Sequence, residues 1–169
     1  RSRNKSVGMS NRNYGGVWIQ MKTVIHRQKP LIGYQCAEDG TIIGPRGKSL
    51  TQSSKKGRHG NITDYSCRFY FPIGYFPDYS FQRKGNRETK TIPVHRVIME
   101  TLRPIDKFPP DELKDTWDNV PEEWRKWVRE TAIIDHIDDN PANNDVRNLK
   151  WITNLDNSNF RKKQSNDHG

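Results

Sequence analysis

Asp135 and His136 stand side by side in the stretch IIDHIDDNPANNDVRNLKWITNLDNSNF, residues 133–160, where the chain gathers its densest set of reactive side chains. A carboxylate offers hard oxygen to a divalent cation, and an asparagine amide oxygen can join it. An imidazole with an ordinary pKa of about 6.5 takes a proton from water near neutral pH. Cation, proton acceptor and water are the ingredients of metal-assisted phosphodiester hydrolysis. Neighbours on an extended chain point to opposite sides, so one side chain can face a metal and the other a substrate if the strand edge twists. The same residues also compose an Asx-rich turn in a plain surface hairpin, and residue types alone leave both readings open. A calcium loop fails, because the third, sixth and twelfth places counted from Asp135 hold Ile137, Asn140 and Val146, where a ligand, a glycine and a glutamate are needed. A zinc site built on paired cysteines fails too, since Cys36 and Cys67 are the whole supply. Both read as small buried residues with reduced thiols, which suits a cytoplasmic protein.

The elements that must hold these groups are legible in the pattern. Ile133 to Ile137 and Leu149 to Thr153 read as two strands, with the turn residues 139–144 between them. Asn154-Leu155-Asp156 offers capping chemistry for a short helix running to about Lys163. Upstream, Val94, Val97, Ile98, Thr101 and Leu102 keep helical spacing, so 94–102 is expected to be an amphipathic helix ended by Pro104. Pro121 suits the first position of another helix, with Glu122 and Glu123 at the positive end of its dipole. Trp124, Trp127 and Val128 share one face of that helix and are expected in the core. Residues 17–25 and 65–72 read as strands, and 33–43 as a hairpin turning at Asp39-Gly40. Residues 44–61 read as a basic Gly/Ser-rich connection.

The net charge of +9 is unevenly placed. Residues 1–60 hold twelve Lys and Arg against two acids, whereas 105–145 hold five against twelve. A basic flank beside an acidic block fits a polyanion-binding part and a cation-binding or solvated part. The candidate phosphate contacts are Arg46, Lys48, Lys55, Lys56, Arg58, Arg83, Lys84, Arg87 and Lys90, with Arg27 and Lys29 behind them; His95 and Arg96 could approach the scissile phosphate, although a structural role bracing the helix is the favoured reading of His95. No apolar run nears the roughly 20 residues a membrane span needs, and no secretory leader pattern opens the sequence.

Asp135-His136-Ile137-Asp138-Asp139-Asn140, Asn143-Asn144, Asn148-Leu149-Lys150-Trp151-Ile152-Thr153 and Asn157 together resemble the HNH endonuclease motif, in the form found in phage and intron-encoded homing endonucleases. Val94-His95-Arg96-Val97-Ile98 resembles the helix that precedes it, and Tyr34-Gln35, Asp39-Gly40-Thr41-Ile42 and Gly47-Lys48-Ser49-Leu50 are similar to the β-rich part before that. The resemblance spans roughly residues 33–160 and is strongest over 133–157. It implies an α+β fold, a ββα-metal nuclease core behind an antiparallel β-rich N-terminal region. It implies a metal-dependent DNA endonuclease leaving 5′-phosphate and 3′-hydroxyl ends. Asp135 and Asn157 would hold one divalent cation, magnesium or manganese, and His136 would be the general base. Asn148, counted with the catalytic residues, would brace the loop. No structural zinc is implied, because the cysteines of the zinc-knuckle branch are missing. The partner would be double-stranded DNA, cut by a monomer on one strand or by a homodimer on both.

Four departures from the pattern matter. Asn rather than His closes the motif, which leaves the register open between Asn154, Asn157 and Asn159; the resemblance to the homing subgroup, with its spacing of nine from the residue matching Asn148, favours Asn157. Residues 105–132 read as an acidic helical insertion, and the sequence stops soon after the motif, without the C-terminal DNA-binding module of many homing enzymes. The zinc-knuckle cysteines are the fourth. The expected organisation is a flexible basic arm (1–16), a β-rich DNA-binding region (17–93), a nuclease core (94–163) and a tail (164–169). A non-catalytic DNA-binding protein on a degenerate core is the alternative; the presence of both Asp135 and His136 argues against it. An RNA-binding module, favoured only by basic charge among aromatics, comes third.

Overall fold

The computed structural model describes residues 8–78 and 82–155. Strands β1 (Met9–Tyr14), β2 (Val17–His26), β3 (Lys29–Cys36) and β4 (Ile42–Ile43) form one antiparallel sheet in chain order. Strands β5 (Ser53–Lys56), β6 (Ile62–Pro72), β7 (Gln82–Lys84) and β8 (Arg87–Pro93) form a second, ordered β5-β6-β8-β7. Helix α1 (Val94–Leu102) follows β8 directly, then α2 (Glu122–Thr131), and a ribbon of β9 (Ile133–His136) and β10 (Leu149–Ile152) carries the reactive segment. The architecture is α+β with antiparallel sheets and few helices, as the sequence leads one to expect. No helix among the described residues is long and apolar enough to cross a membrane.

Helix α1 is the hub. Pro93 ends β8 in an extended conformation and fixes the entry to the helix. Val94, Val97, Ile98 and Met99 then face inward and are at most 1% exposed. They touch strands of both large sheets and of the β9–β10 ribbon, so a single apolar cluster runs from Val24 and Phe69 to Leu149 and Trp151. Burying one such aliphatic side chain contributes roughly 1.5–3 kcal/mol. The Thr101 hydroxyl accepts from the Ile25 N–H at 2.9 Å and pins the helix to β2. Cys36 and Cys67 are free and buried in different sheets, and burial pushes their thiols up to about 12 and about 11.

Several expectations need correction. Residues 9–14, inside the presumed flexible arm, form β1, because their backbone pairs in register with Val17–Lys22 across a Gly15-Gly16 turn. The presumed connection 44–61 contains β5, whose Lys55 lies opposite Asp64 of β6. Pro121 caps α2 from outside rather than starting it. Trp124 and Trp127 are 61% and 48% exposed, and of the face they share only Val128 is buried. Among the described residues the buried tryptophans are instead Trp117 and Trp151, 3% and 5% exposed. The helical spacing was right, but α2 is held largely by charge: Arg129 binds Asp106 and Glu122 at 2.8 and 2.7 Å. Helical backbone begins at Asn154; Asn157, Asn159 and Lys163 lie outside the described residues, as do residues 1–7 and the tail.

Candidate active site

The β9–β10 register sets the two reactive side chains on opposite faces. His136 lies opposite Leu149, which is 1% exposed, and Asp135 lies opposite exposed Lys150. His136 therefore leans toward the body of the protein while Asp135 points outward, and both remain partly accessible. The Asp135 side chain has no hydrogen bond or ion pair with any described residue. Its carboxylate is thus uncommitted within the described structure.

His136 is held. Its Nε2 lies 2.8 Å from Oδ1 of Asn144, a residue only 4% exposed. The Asn144 amide nitrogen is turned toward the Pro141 carbonyl at 3.5 Å, so its oxygen faces the imidazole and accepts the Nε2 proton. Nε2 is then the nitrogen that carries a proton, and in the neutral ring the bare nitrogen is Nδ1. Asn144 is itself seated against the β3–β4 turn. Gly40, at φ +93°, approaches so closely that a β-carbon there would sit 3.0 Å from the Asn144 carbonyl oxygen. The Val146 N–H adds a bond of 2.8 Å to the Glu38 carbonyl. Only glycine accommodates both that backbone angle and that approach.

The loop between the strands is tied by its own polar side chains. Asn148 donates from Nδ2 to Asp138 Oδ1 at 2.8 Å and to the Asn143 carbonyl at 2.9 Å, and its Oδ1 accepts the Asp138 N–H at 3.1 Å. Asp138 also accepts from Asn143 Nδ2 at 2.8 Å and from the Asn140 N–H at 2.9 Å. Hydrogen bonds from Asn143, Asn140 and Asn148 hold the Asp138 carboxyl below its usual range. Asp139 sits at φ +60°, a left-handed angle that Asp tolerates in turns. Asn148 touches none of the reactive groups directly; it shapes the loop that presents Asn144.

A hard cation fits the donors present. Asp135 supplies one free carboxylate, and among the described residues no three His, Cys, Asp or Glu side chains converge on a common point. A lone carboxylate of this kind is a hard oxygen donor of the sort that a divalent cation takes.

The basic residues divide by strand register. Lys84 and Arg87 lie opposite each other and flank the Tyr70 ring, at 6.0 and 4.9 Å from its centroid. With Lys55 and Arg68 they mark one face of the second sheet. Arg83 and Lys90 are paired instead with Glu88 and Phe69, on the opposite side. Arg46 and Lys48 sit in the turn after β4, and Lys56 and Arg58 at the exposed end of β5. Arg96 is engaged internally: it donates to the Ala132 carbonyl at 3.1 Å, pairs with Glu100 at 3.4 Å and lies over Trp151 at 5.4 Å. Its expected part in DNA binding therefore competes with a bracing one. Sequence reasoning passed over Asn144, Gly40, Arg68 and Tyr70 as site residues. Arg68 was detectable, since a lone cation alternating with Cys67 and Phe69 marks the outer face of a strand. Asn144 stands in the motif beside Asn143, but nothing in the sequence sets it apart from its neighbours as the partner of His136.

Residues 126–159 match the family of HNH endonucleases. A solved structure described as DNA binding and cleavage by the HNH homing endonuclease I-HmuI is similar over 78% of this chain, with 21% identity and a TM-score of 0.40. The chain spans about half of that protein, 53% of its length. No curated protein matches the sequence. The match over 126–159 covers α2's second half, strand β9 with Asp135 and His136, strand β10 and the loop between them, and over this segment the chain is similar to the HNH endonuclease family.

Proposed function

We propose that the chain is a DNA endonuclease of the homing type that hydrolyses phosphodiester bonds with one divalent cation, magnesium or manganese, and leaves 5′-phosphate and 3′-hydroxyl ends. The observation that carries this reading is the pairing of a fixed imidazole with a free carboxylate. His136 is oriented through Nε2 by Asn144, and neighbouring Asp135 has no protein partner among the described residues. Asp135 and Asn157 hold the cation. Bound there, it would neutralise charge on the scissile phosphate and stabilise the departing 3′ oxygen. His136 accepts at Nδ1 the proton of the attacking water, and its Nε2–H stays with Asn144, which stabilises the imidazolium that results. Asn148 keeps the loop in the shape that presents Asn144.

The partner is double-stranded DNA. Lys55, Arg68, Lys84 and Arg87, on one face of the second sheet, contact phosphates and set the affinity. Arg46, Lys48, Lys56 and Arg58 extend that surface. A monomer would nick and a homodimer would cut both strands. The test is plasmid cleavage by pure protein with magnesium, with manganese and with EDTA, alongside His136→Ala. Expected are metal-dependent nicking or linearisation and a loss on the order of 10² or more in the variant. Plasmid left intact with every metal would replace this reading with that of a DNA-binding protein on a degenerate core.

A further inference from the structure

His95 is the second residue of α1, and its ring meets that of His136 edge to face, with centroids 5.2 Å apart and planes at 84°. Nothing described hydrogen-bonds it: Nδ1 is sealed from solvent without a partner. Its place is set instead by the helix, whose Val94, Val97, Ile98 and Met99 are locked in the core. Burial pushes the His95 pKa down to about 4, helped by positive charge on His136 and Arg96 and opposed by Asp64. The ring is therefore a neutral wall that adds no positive charge beside the imidazole that must accept a proton. Asn144 fixes one edge of His136 by a hydrogen bond, but a single hydrogen bond leaves a ring free to rock about it. A second contact, from a different element, is what fixes the plane.

We propose that His95 is a positioning residue, a wall from helix α1 that holds the His136 ring so that Nδ1 stays aimed at the water it deprotonates. The proposal rests on the endonuclease reading for its catalytic consequence and on ring geometry for the positioning itself. It also makes α1 part of the active site although α1 lies outside the matched segment. Misplacing a catalytic group by about 1 Å costs on the order of 10² in rate.

The experiment compares His95→Phe, which keeps an aromatic wall, with His95→Ala and His95→Gln, which remove it. Single-turnover cleavage is measured with metal, DNA affinity in EDTA, and the tautomer and exchange of the His136 imidazole by long-range ¹H–¹⁵N NMR of the free protein. Expected are a roughly 10- to 100-fold slower cleavage in the Ala and Gln variants, unchanged DNA affinity, and an Nε2–H tautomer that becomes mixed or fast-exchanging. The Phe variant should stay within a few-fold of the native protein. Unaltered cleavage and NMR in a folded Ala or Gln variant would overturn the proposal. So would a Phe variant as slow as Ala, since it would assign the role to a nitrogen of His95. If the native protein cuts no DNA, the endonuclease reading fails, and the NMR arm still decides whether His95 orders His136.

Discussion

Helix α1 and the loop from Ile137 to Arg147 both press on His136, and they are held by unlike forces. The helix is fixed by burial: Val94, Val97 and Ile98 are 0% exposed and the helix has no side-chain cap. The loop buries almost nothing apolar besides Val146 and is fixed by side-chain hydrogen bonds among Asp138, Asn140, Asn143 and Asn148. Apolar packing is roughly proportional to area, and it tolerates swaps that conserve volume. A polar network is directional, and one missing atom leaves its partners unpaired. The site is therefore robust on the helix side and brittle on the loop side.

The largest effect expected concerns the helix side. Ile98→Ala should lower stability by about 2–5 kcal/mol, while Ile98→Val should lower it by only about 0.5–1.5 kcal/mol, both read from urea unfolding. If the two variants lose the same amount, the helix is not held by packed volume. Acid probes the junction of the two regions. His95 is held at about 4, below the ordinary value of about 6.5. The unfolded chain thus binds the extra proton between those values, so stability is full above about pH 6.5 and falls, by about 3 kcal/mol in all, as pH drops toward 4. His95→Phe should flatten that part of the curve in urea midpoints measured from pH 7.5 to 4. Asp138 works at lower pH: its depressed carboxyl contributes above its ordinary range and is lost in stronger acid.

Loop brittleness is sharpened by Asn148→Ala, which should cost about 1–3 kcal/mol and lower cleavage without weakening DNA affinity in EDTA. Asn148→Asp should be no better, because it brings a second carboxylate to Asp138. Retained cleavage in Asn148→Ala would mean that the strands alone hold the loop. The smallest change is expected away from both regions. Trp127→Ala should stay within about 0.5 kcal/mol, as substitutions of exposed side chains do. A loss near that of a core tryptophan would show that α2's outer face is covered in solution.

Much of this was visible before any coordinates. The spacing of Val94, Val97 and Ile98 places α1, and the strand–turn–strand pattern places β9 and β10, because local periodicity reports which face is buried. The tryptophans of α2 show where that reasoning stops. Periodicity says that Trp124 and Trp127 share a side with Val128, but not how far across that side the core reaches. Asn144 shows the same limit in the site. It sits among Asn140, Asn143 and Asn148, and nothing in its neighbours tells which amide is buried against Gly40 and aimed at His136.

The chain's own letters dictated the chemistry on offer: a carboxylate beside an imidazole, a turn rich in amides, and cations set apart from acids. Residue identity fixes what a group can donate, accept or bind, and short-range spacing fixes the local element. Tertiary structure alone chose among equivalent residues. It committed Arg96 to Ala132 and Glu100, left Asp135 without a described partner, and brought His95 against His136 across a gap of 41 positions in sequence. Those choices depend on how sheets and helix stack, which is a property of long-range packing and is written in no single segment.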